Sequence, residues 1–181
     1  MRDHRSDPRS AGEVSRWHTW PMLRGGTVAA HSWHVARIML AIHPSASREA
    51  LVEAIFHDIG EIVTGDPPYP VKADNPVFGT EAKRIEGEAR LKMASPWGVP
   101  APSQGLSNFD RWLVKLADIV EMWEHAREEM FMGNKNAIIV EARASMLAKD
   151  HMRKCPSPVD ETEIAERLDR YMSRRESVTN G

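Results

Sequence analysis

Four residues of this chain carry donor atoms suited to a divalent cation: His31, His57, Asp58 and Asp118. His57 and Asp58 are adjacent, inside the apolar stretch Ala54-Ile55-Phe56-His57-Asp58-Ile59-Gly60-Glu61. Burying an imidazole and a carboxylate there is costly unless the charge is paired or holds a metal. His31 lies on an earlier amphipathic stretch, Val28-Ala29-Ala30-His31-Ser32, and Asp118 on a later one, Leu113-Val114-Lys115-Leu116-Ala117-Asp118. Two neutral imidazoles and two carboxylates balance one divalent charge and leave room for water. Such a mixed N and O set suits manganese, iron, cobalt or zinc better than calcium, so one divalent transition metal is expected. Taken singly, each residue has an ordinary alternative. A histidine on an apolar face is usually a core residue, and His34, His43, His125 and His151 are read that way. Asp118 has Lys115 and Arg111 within reach as ion-pair partners.

The elements that must position these groups read as helices joined by loops. Residues 1–12 read as a loose N-terminus, 13–176 as one domain and 177–181 as a loose end. A first helix is expected from Thr27 to His43, stopped by Pro44. A second starts with Ser47 as N-cap and ends near Gly60, with Leu51, Ile55 and Ile59 on one stripe. On a continuous helix His57 and Asp58 would diverge by about 100°, so a shared ion would sit beside it. Thr64 to Pro70 reads as non-helical because its prolines remove backbone donors. Further helices are expected over Gly79–Ala94, Phe109–Met132 and Ala137–Arg153. A last one starts at Asp160, with Glu163 completing a capping-box pattern. No stretch reads as a strand, so the class is all-α, a single helical bundle.

Composition narrows the partners. With 181 residues and a net charge of −2, the chain suits one domain and has no basic field for nucleic acid. Cys155 is the only cysteine, which excludes an internal disulfide and a cysteine-based zinc site. No apolar run reaches the ~18 residues of a membrane span, and the polar start is unlike a secretory signal. A cytoplasmic location is expected. The ten methionines on long amphipathic stretches fit either a core or self-association, and a homo-oligomer is expected.

The surrounding residues extend the pattern. Arg16-Trp17 precedes His31; Glu61 follows Asp58; then come Thr64-Gly65-Asp66-Pro67-Pro68-Tyr69-Pro70-Val71-Lys72, Lys115-Leu116-Ala117-Asp118 and Gly133-Asn134. With H…HD…D, this combination resembles the HD-domain metal phosphohydrolases. In particular it resembles bacterial 5′-deoxynucleotidases and phage-type HD enzymes that remove triphosphate from deoxynucleotides such as dATP. If phage-encoded, such an enzyme would act in the host cytoplasm. The resemblance implies an HD-domain bundle with His31, His57, Asp58 and Asp118 as metal ligands. It implies cleavage of a 2′-deoxynucleotide at the 5′ α-phosphate, as mono- or triphosphate.

Each remaining residue then has an expected role. Glu61 and Asp66 are candidate proton-transfer carboxylates. Arg16, Trp17, Thr19, Pro70 and Lys72 form the expected substrate-binding set. Arg16 offers a planar fork to phosphate and Lys72 a further charge. Trp17 and Pro70 form a wall that cannot bond a 2′-hydroxyl. Arg16 and Lys72 as solvated charges, Trp17 as a core aromatic and Glu61 as an ordinary helix-end carboxylate are the plainer readings. Two further functional readings compete: an HD hydrolase of another nucleotide phosphoester, and a noncatalytic nucleotide-binding HD module.

Overall fold

The computed structural model of the protein describes residues 4–101, 105–156 and 161–180, with side chains except at 69, 70, 161 and 178–180. Its α-helices are α1 (Pro8–Gly12), α2 (Val28–Ile42), α3 (Arg48–Phe56), α4 (Tyr69–Asp74), α5 (Pro76–Trp97), α6 (Asn108–Phe131), α7 (Ala137–Met152) and α8 (Glu161–Asn180). The all-α reading holds, with one addition. Ser15–Arg16 (β1) and Gly26–Thr27 (β2) pair antiparallel, Ser15 opposite Thr27 and Arg16 opposite Gly26. Two residues per strand are too few to show an alternating pattern in sequence.

Other boundaries shift for identifiable reasons. The expected loose N-terminus is helical at its end: Asp7 caps α1 by accepting from the Arg9 amide at 3.1 Å, and Ala11 is fully buried. At the other terminus α8 runs on to Asn180, past the expected loose start at 177. Pro70 does not prevent α4, because it stands in the first turn, where no intrahelical N–H is needed. The expected cap at Asp160 lies outside the described residues.

The chain forms two compact units, each built from separate stretches. The larger comprises 22–24, 34–54 and 105–181. Its core is periodic: Val35, Ile38, Met39 and Ile42 on α2, and Leu113, Leu116, Ala117 and Val120 on α6, follow helical i, i+3, i+4, i+7 spacing and are buried. Ile164 and Leu168 of α8 complete it. Ser47 caps α3 as expected, accepting from the Ala50 amide at 3.0 Å, while its hydroxyl donates to Asp110 at 2.7 Å. Asp110 and Ser107 form the capping box of α6, so one carboxylate registers two helix starts. His151 is structural: its Nε2 bonds the Trp112 carbonyl at 2.9 Å, and Trp112 Nε1 donates back to the His151 carbonyl at 2.9 Å.

The smaller unit comprises 1–21, 25–33 and 55–104. Ala11, Ile59, Met93 and Val99 form its core, with Phe56 and Ile62 packed against them. Gly60 makes the closest approach. A Cβ built there would lie 2.1 Å from the Glu86 carbonyl oxygen of α5. That is backbone, which cannot swing aside. We therefore expect Gly60→Ala to destabilise the protein by about 3 kcal/mol or more and to disturb the residues on either side. A melting temperature within a degree or two of wild type would refute this close packing.

Candidate active site

The helix carrying the His-Asp pair ends earlier than its apolar pattern suggested. α3 stops at Phe56, and a 3₁₀ turn follows over Ile59–Ile62. His57 and Asp58 therefore lie in the break, not on a continuous helix, and the expected 100° divergence does not apply. Asp58 has φ −102° and ψ 6°, in the bridge region between helix and strand. There the two adjacent side chains converge: Asp58 Oδ2 lies 3.3 Å from His57 Nε2. Glu61 bonds back through its amide to the Asp58 carbonyl at 2.9 Å. In a 3₁₀ turn residues three apart eclipse, which puts Glu61 on the side of Asp58.

The other half of the cluster comes from the β1–β2 hairpin. β2 runs directly into α2, whose first turn carries His31, and β1 carries Arg16 opposite β2. His31 Nε2 stands 3.2 Å from His57 Nε2 and 3.4 Å from Asp58 Oδ2. Three donor atoms thus form a triangle with edges of 3.2, 3.3 and 3.4 Å. A zinc-type ion with bonds of about 2.0–2.1 Å in tetrahedral geometry requires ligand separations of about 3.3 Å. The donor set fits a transition ion both in chemistry and in spacing.

Charge around the triangle is dense. Arg16 Nη1 bonds Asp58 Oδ2 at 2.8 Å and lies 3.8 Å from Glu61 Oε2 and 3.7 Å from Asp66 Oδ1. Partial burial alone would raise the Asp58 carboxyl, but His57, His31 and Arg16 more than offset this and hold it well below its ordinary range. Glu61 goes the other way. Burial first, and then the carboxylates of Asp58 and Asp66, push it up to about 8 despite Arg16 and Lys72. Its Oε2 is buried and has no hydrogen-bond partner among the described residues. A buried carboxyl with a free oxygen beside a donor triangle is placed to give or take a proton.

The remaining expected residues divide. Asp66 reaches the cluster through a tight turn in which Gly65 (φ 74°) and Asp66 (φ 50°) are both left-handed. Lys72 reaches it too, but its Nζ is held by Glu61 Oε1 at 3.3 Å and Glu86 Oε1 at 3.6 Å. Trp17 is left-handed at φ 65°, a rare state for a bulky residue, in a turn closed by the Trp20 amide bonding the Trp17 carbonyl at 3.0 Å. Thr19 is exposed in that turn. The side chain of Pro70 lies outside the described residues. Asp118 belongs to the larger unit, on α6, where its Oδ2 pairs with Lys115 Nζ at 2.7 Å.

Two residues escaped the sequence reading. Glu86 bonds Lys72 and accepts from the Thr64 hydroxyl at 2.8 Å. A signal existed: Gly79, Ala82, Glu86, Ala89 and Met93 lie on one helical stripe, and a glutamate there interrupts an otherwise apolar face. Glu129 is fully buried and accepts from the amides of Leu23 and Arg24 at 2.6 and 2.7 Å, and from Asn134 Nδ2 at 2.7 Å. No local pattern announces it. Its partners lie more than a hundred residues away in sequence, apart from Asn134 of the Gly133-Asn134 pair.

The 5′-deoxynucleotidase YfbR-like family model matches residues 11–158 of the chain. A 5′-deoxynucleotidase of Vibrio vulnificus (strain YJ016) is 30% identical over 161 residues, covering 76% of this chain and 80% of its own. A 5′-deoxynucleotidase of Yersinia pestis (strain Pestoides F) is 31% identical over 150 residues, covering 72% and 75%. Among solved structures, a cyanophage S-2L HD phosphohydrolase (DatZ), bound to dA and one catalytic Zn2+ ion, superposes with a TM-score of 0.68 at 22% identity. It covers 99% of this chain and 98% of that one, which shows the shared fold. The extent of the family match, together with two relatives at 30% and 31% identity, establishes that the chain belongs to the YfbR-like 5′-deoxynucleotidase family.

Proposed function

We propose that this protein hydrolyses 2′-deoxynucleotides at the 5′ α-phosphate, using one divalent transition ion held by His31, His57, Asp58 and Asp118. The single observation that carries the reading is the donor triangle of His31, His57 and Asp58, at 3.2–3.4 Å, with Glu61 beside it. Asp118 enters on sequence grounds, as the carboxylate of Lys-x-Ala-Asp. Cobalt, manganese, zinc and iron all suit the donors, and the Zn2+ of DatZ supports this class. When bound, such an ion supplies Lewis acidity, which acidifies water and offsets phosphoryl charge.

The chain's own residues supply the rest. Arg16, already 2.8 Å from Asp58, stands where a phosphate beside the ligands would need a cation. Glu61 holds or accepts the proton exchanged with water or the leaving oxygen, and Asp66 orients the same exchange from its rigid turn. Lys72 lies against Glu61, so its first effect is on that carboxyl, and phosphate contact is its secondary role. On the sequence reading Trp17 and Pro70 are the proposed sugar-side wall, where a 2′-hydroxyl would lose water without gaining a partner, at about 1–3 kcal/mol, and Thr19 is a proposed substrate contact apart from that wall. The relatives named 5′-deoxynucleotidase support this preference for a deoxy sugar.

The test is product release from matched deoxy- and ribonucleotides, with and without chelator. Inorganic phosphate should come from dNMP, and intact tripolyphosphate from any dNTP that is a substrate, since attack falls on the phosphorus next to the sugar in both. Deoxynucleotides should be favoured by roughly ten- to a hundredfold. Equal rates on AMP and dAMP, and on ATP and dATP, would remove the deoxy assignment. Turnover that survives exhaustive chelation would remove the metal.

A further inference from the structure

Asp66 and Lys72 come to the donor cluster on one loop, and a single carboxylate oxygen holds both ends of it. The loop leaves the 3₁₀ turn at Thr64 and enters α4, which carries Lys72. Asp66 Oδ1 lies 3.7 Å from Arg16 Nη1, and Lys72 Nζ 3.3 Å from Glu61 Oε1. At the start of the loop the Thr64 hydroxyl donates to Glu86 Oε1 at 2.8 Å; at its end Lys72 Nζ lies 3.6 Å from the same oxygen. The α5 backbone grips these segments as well. Gly79 and Glu86 share one face of α5, about two turns apart. A Cβ built at Gly79 would meet the Lys72 carbonyl oxygen at 2.9 Å, and one built at Gly60 the Glu86 carbonyl oxygen at 2.1 Å. Within the loop, Pro67, Pro68 and Pro70 donate no backbone hydrogen bond, and Asp66 is left-handed. Such a residue persists only where its surroundings over-determine it.

We propose that Glu86 is a positioning residue of the reaction: by tying Thr64 and Lys72 to one oxygen, it sets where Asp66 meets Arg16 and where the Lys72 ammonium meets Glu61. This rests on the reading of Glu61 and Asp66 as the proton-transfer carboxylates. Glu86 acts through Thr64 and Lys72, neither of them a metal ligand. The two ties differ in chemistry. The hydroxyl needs only an acceptor, which a glutamine carbonyl still provides; the ammonium needs a charge, which glutamine lacks. Without that charge Lys72 keeps one of its two carboxylates, and its flexible four-carbon stem no longer holds the ammonium in one place. A misplacement of roughly 1 Å beside the reacting groups is enough to cost turnover.

The experiment measures kcat and KM for dNMP, metal content and melting temperature in metal-loaded Glu86→Gln, Lys72→Met, the double variant and Thr64→Val. Glu86→Gln should keep its metal, lower kcat roughly tenfold and leave KM within about twofold of wild type. In the double variant the glutamine should lower kcat by less than about twofold below Lys72→Met, because the group it acts through is gone. Thr64→Val cuts only the first tie and should lower kcat by roughly fivefold at unchanged KM, the effect of one neutral hydrogen bond. A purely structural Glu86 would lower the melting temperature and leave kcat and KM of the folded enzyme at wild type, which overturns the proposal. Fully multiplicative losses in the double variant overturn it too, since Glu86 and Lys72 would then act independently. So does a raised KM with unchanged kcat, which would put Lys72 on phosphate. Full turnover in Glu61→Gln and Asp66→Asn removes the proton-transfer reading and the inference with it. Lost turnover there beside an unchanged kcat in Glu86→Gln removes the inference alone. If Glu86→Gln does not fold, Thr64→Val decides: a lowered kcat at unchanged KM supports the tie, and a wild-type kcat overturns it.

Discussion

Asp58→Ala should empty the metal site and cut turnover by at least about 10³. Asp58 Oδ2 lies 3.3–3.4 Å from both imidazole nitrogens, so it is the corner that closes the donor triangle. It also neutralises Arg16 at 2.8 Å. Its loss removes one anionic ligand and the carboxylate nearest the Arg16 guanidinium, which makes the site less favourable for a cation. Outer-shell changes alone typically cost 10- to 100-fold in affinity or activity, so a direct ligand should cost more. Asp118→Ala should follow it if Asp118 is the second anionic ligand. If Asp118→Ala kept its metal while Asp58→Ala lost it, the set would close with water in place of Asp118. Metal content by elemental analysis, measured beside turnover, separates the two. An Asp58→Ala protein with full metal and full activity would sink the site.

The sequence made the donor types legible but not their geometry. His57 and Asp58 stood out because an adjacent His-Asp pair is expensive inside an apolar stretch. The helix-period pattern through Leu51, Ile55 and Ile59, however, hid the break after Phe56. Helix propensity does not report the tertiary constraint beside that break: a Cβ built at Gly60 would lie 2.1 Å from the α5 backbone. The helical core was legible for the opposite reason. Val35, Ile38, Met39 and Ile42, like Leu113, Leu116, Ala117 and Val120, repeat at a period that only a helix buries on one side. Arg16 and His31 were recognised as separate motifs. Their proximity depends on a pairing of two residues with two, which is below what periodicity resolves. Lys72 shows the limit for charge: its type suggested phosphate, and the fold gives it two carboxylates. Glu86 is a half-buried and Glu129 a buried carboxylate, and apart from Asn134 their partners come from elsewhere in the chain, so no short window of sequence contains both sides of those bonds.

Glu61→Gln should leave the metal bound and lower turnover by roughly 10²–10⁴, the range for lost acid–base assistance. The substitution preserves shape and the Asp58 backbone bond but removes the titrating oxygen. A second effect isolates the carboxyl from the chemistry. In metal-free protein, burial, then Asp58 and Asp66, raise Glu61 to about 8 from an ordinary 4.5, so the folded state binds its proton more tightly than the unfolded state. Stability from this group is complete below about 4.5 and is lost as pH rises through about 8, by up to about 5 kcal/mol and less where Arg16 and Lys72 adjust. Chelated wild type should therefore lose stability across that window relative to Glu61→Gln, which has no proton to lose. Thermal melts in chelator at half-unit steps of pH would show it. Parallel curves for the two proteins would mean that Glu61 is not held in a proton-retaining site. Loss of metal from Glu61→Gln would instead make the residue a ligand. Retained metal, lost turnover and a flattened pH dependence together identify the carboxyl as the group that moves the proton.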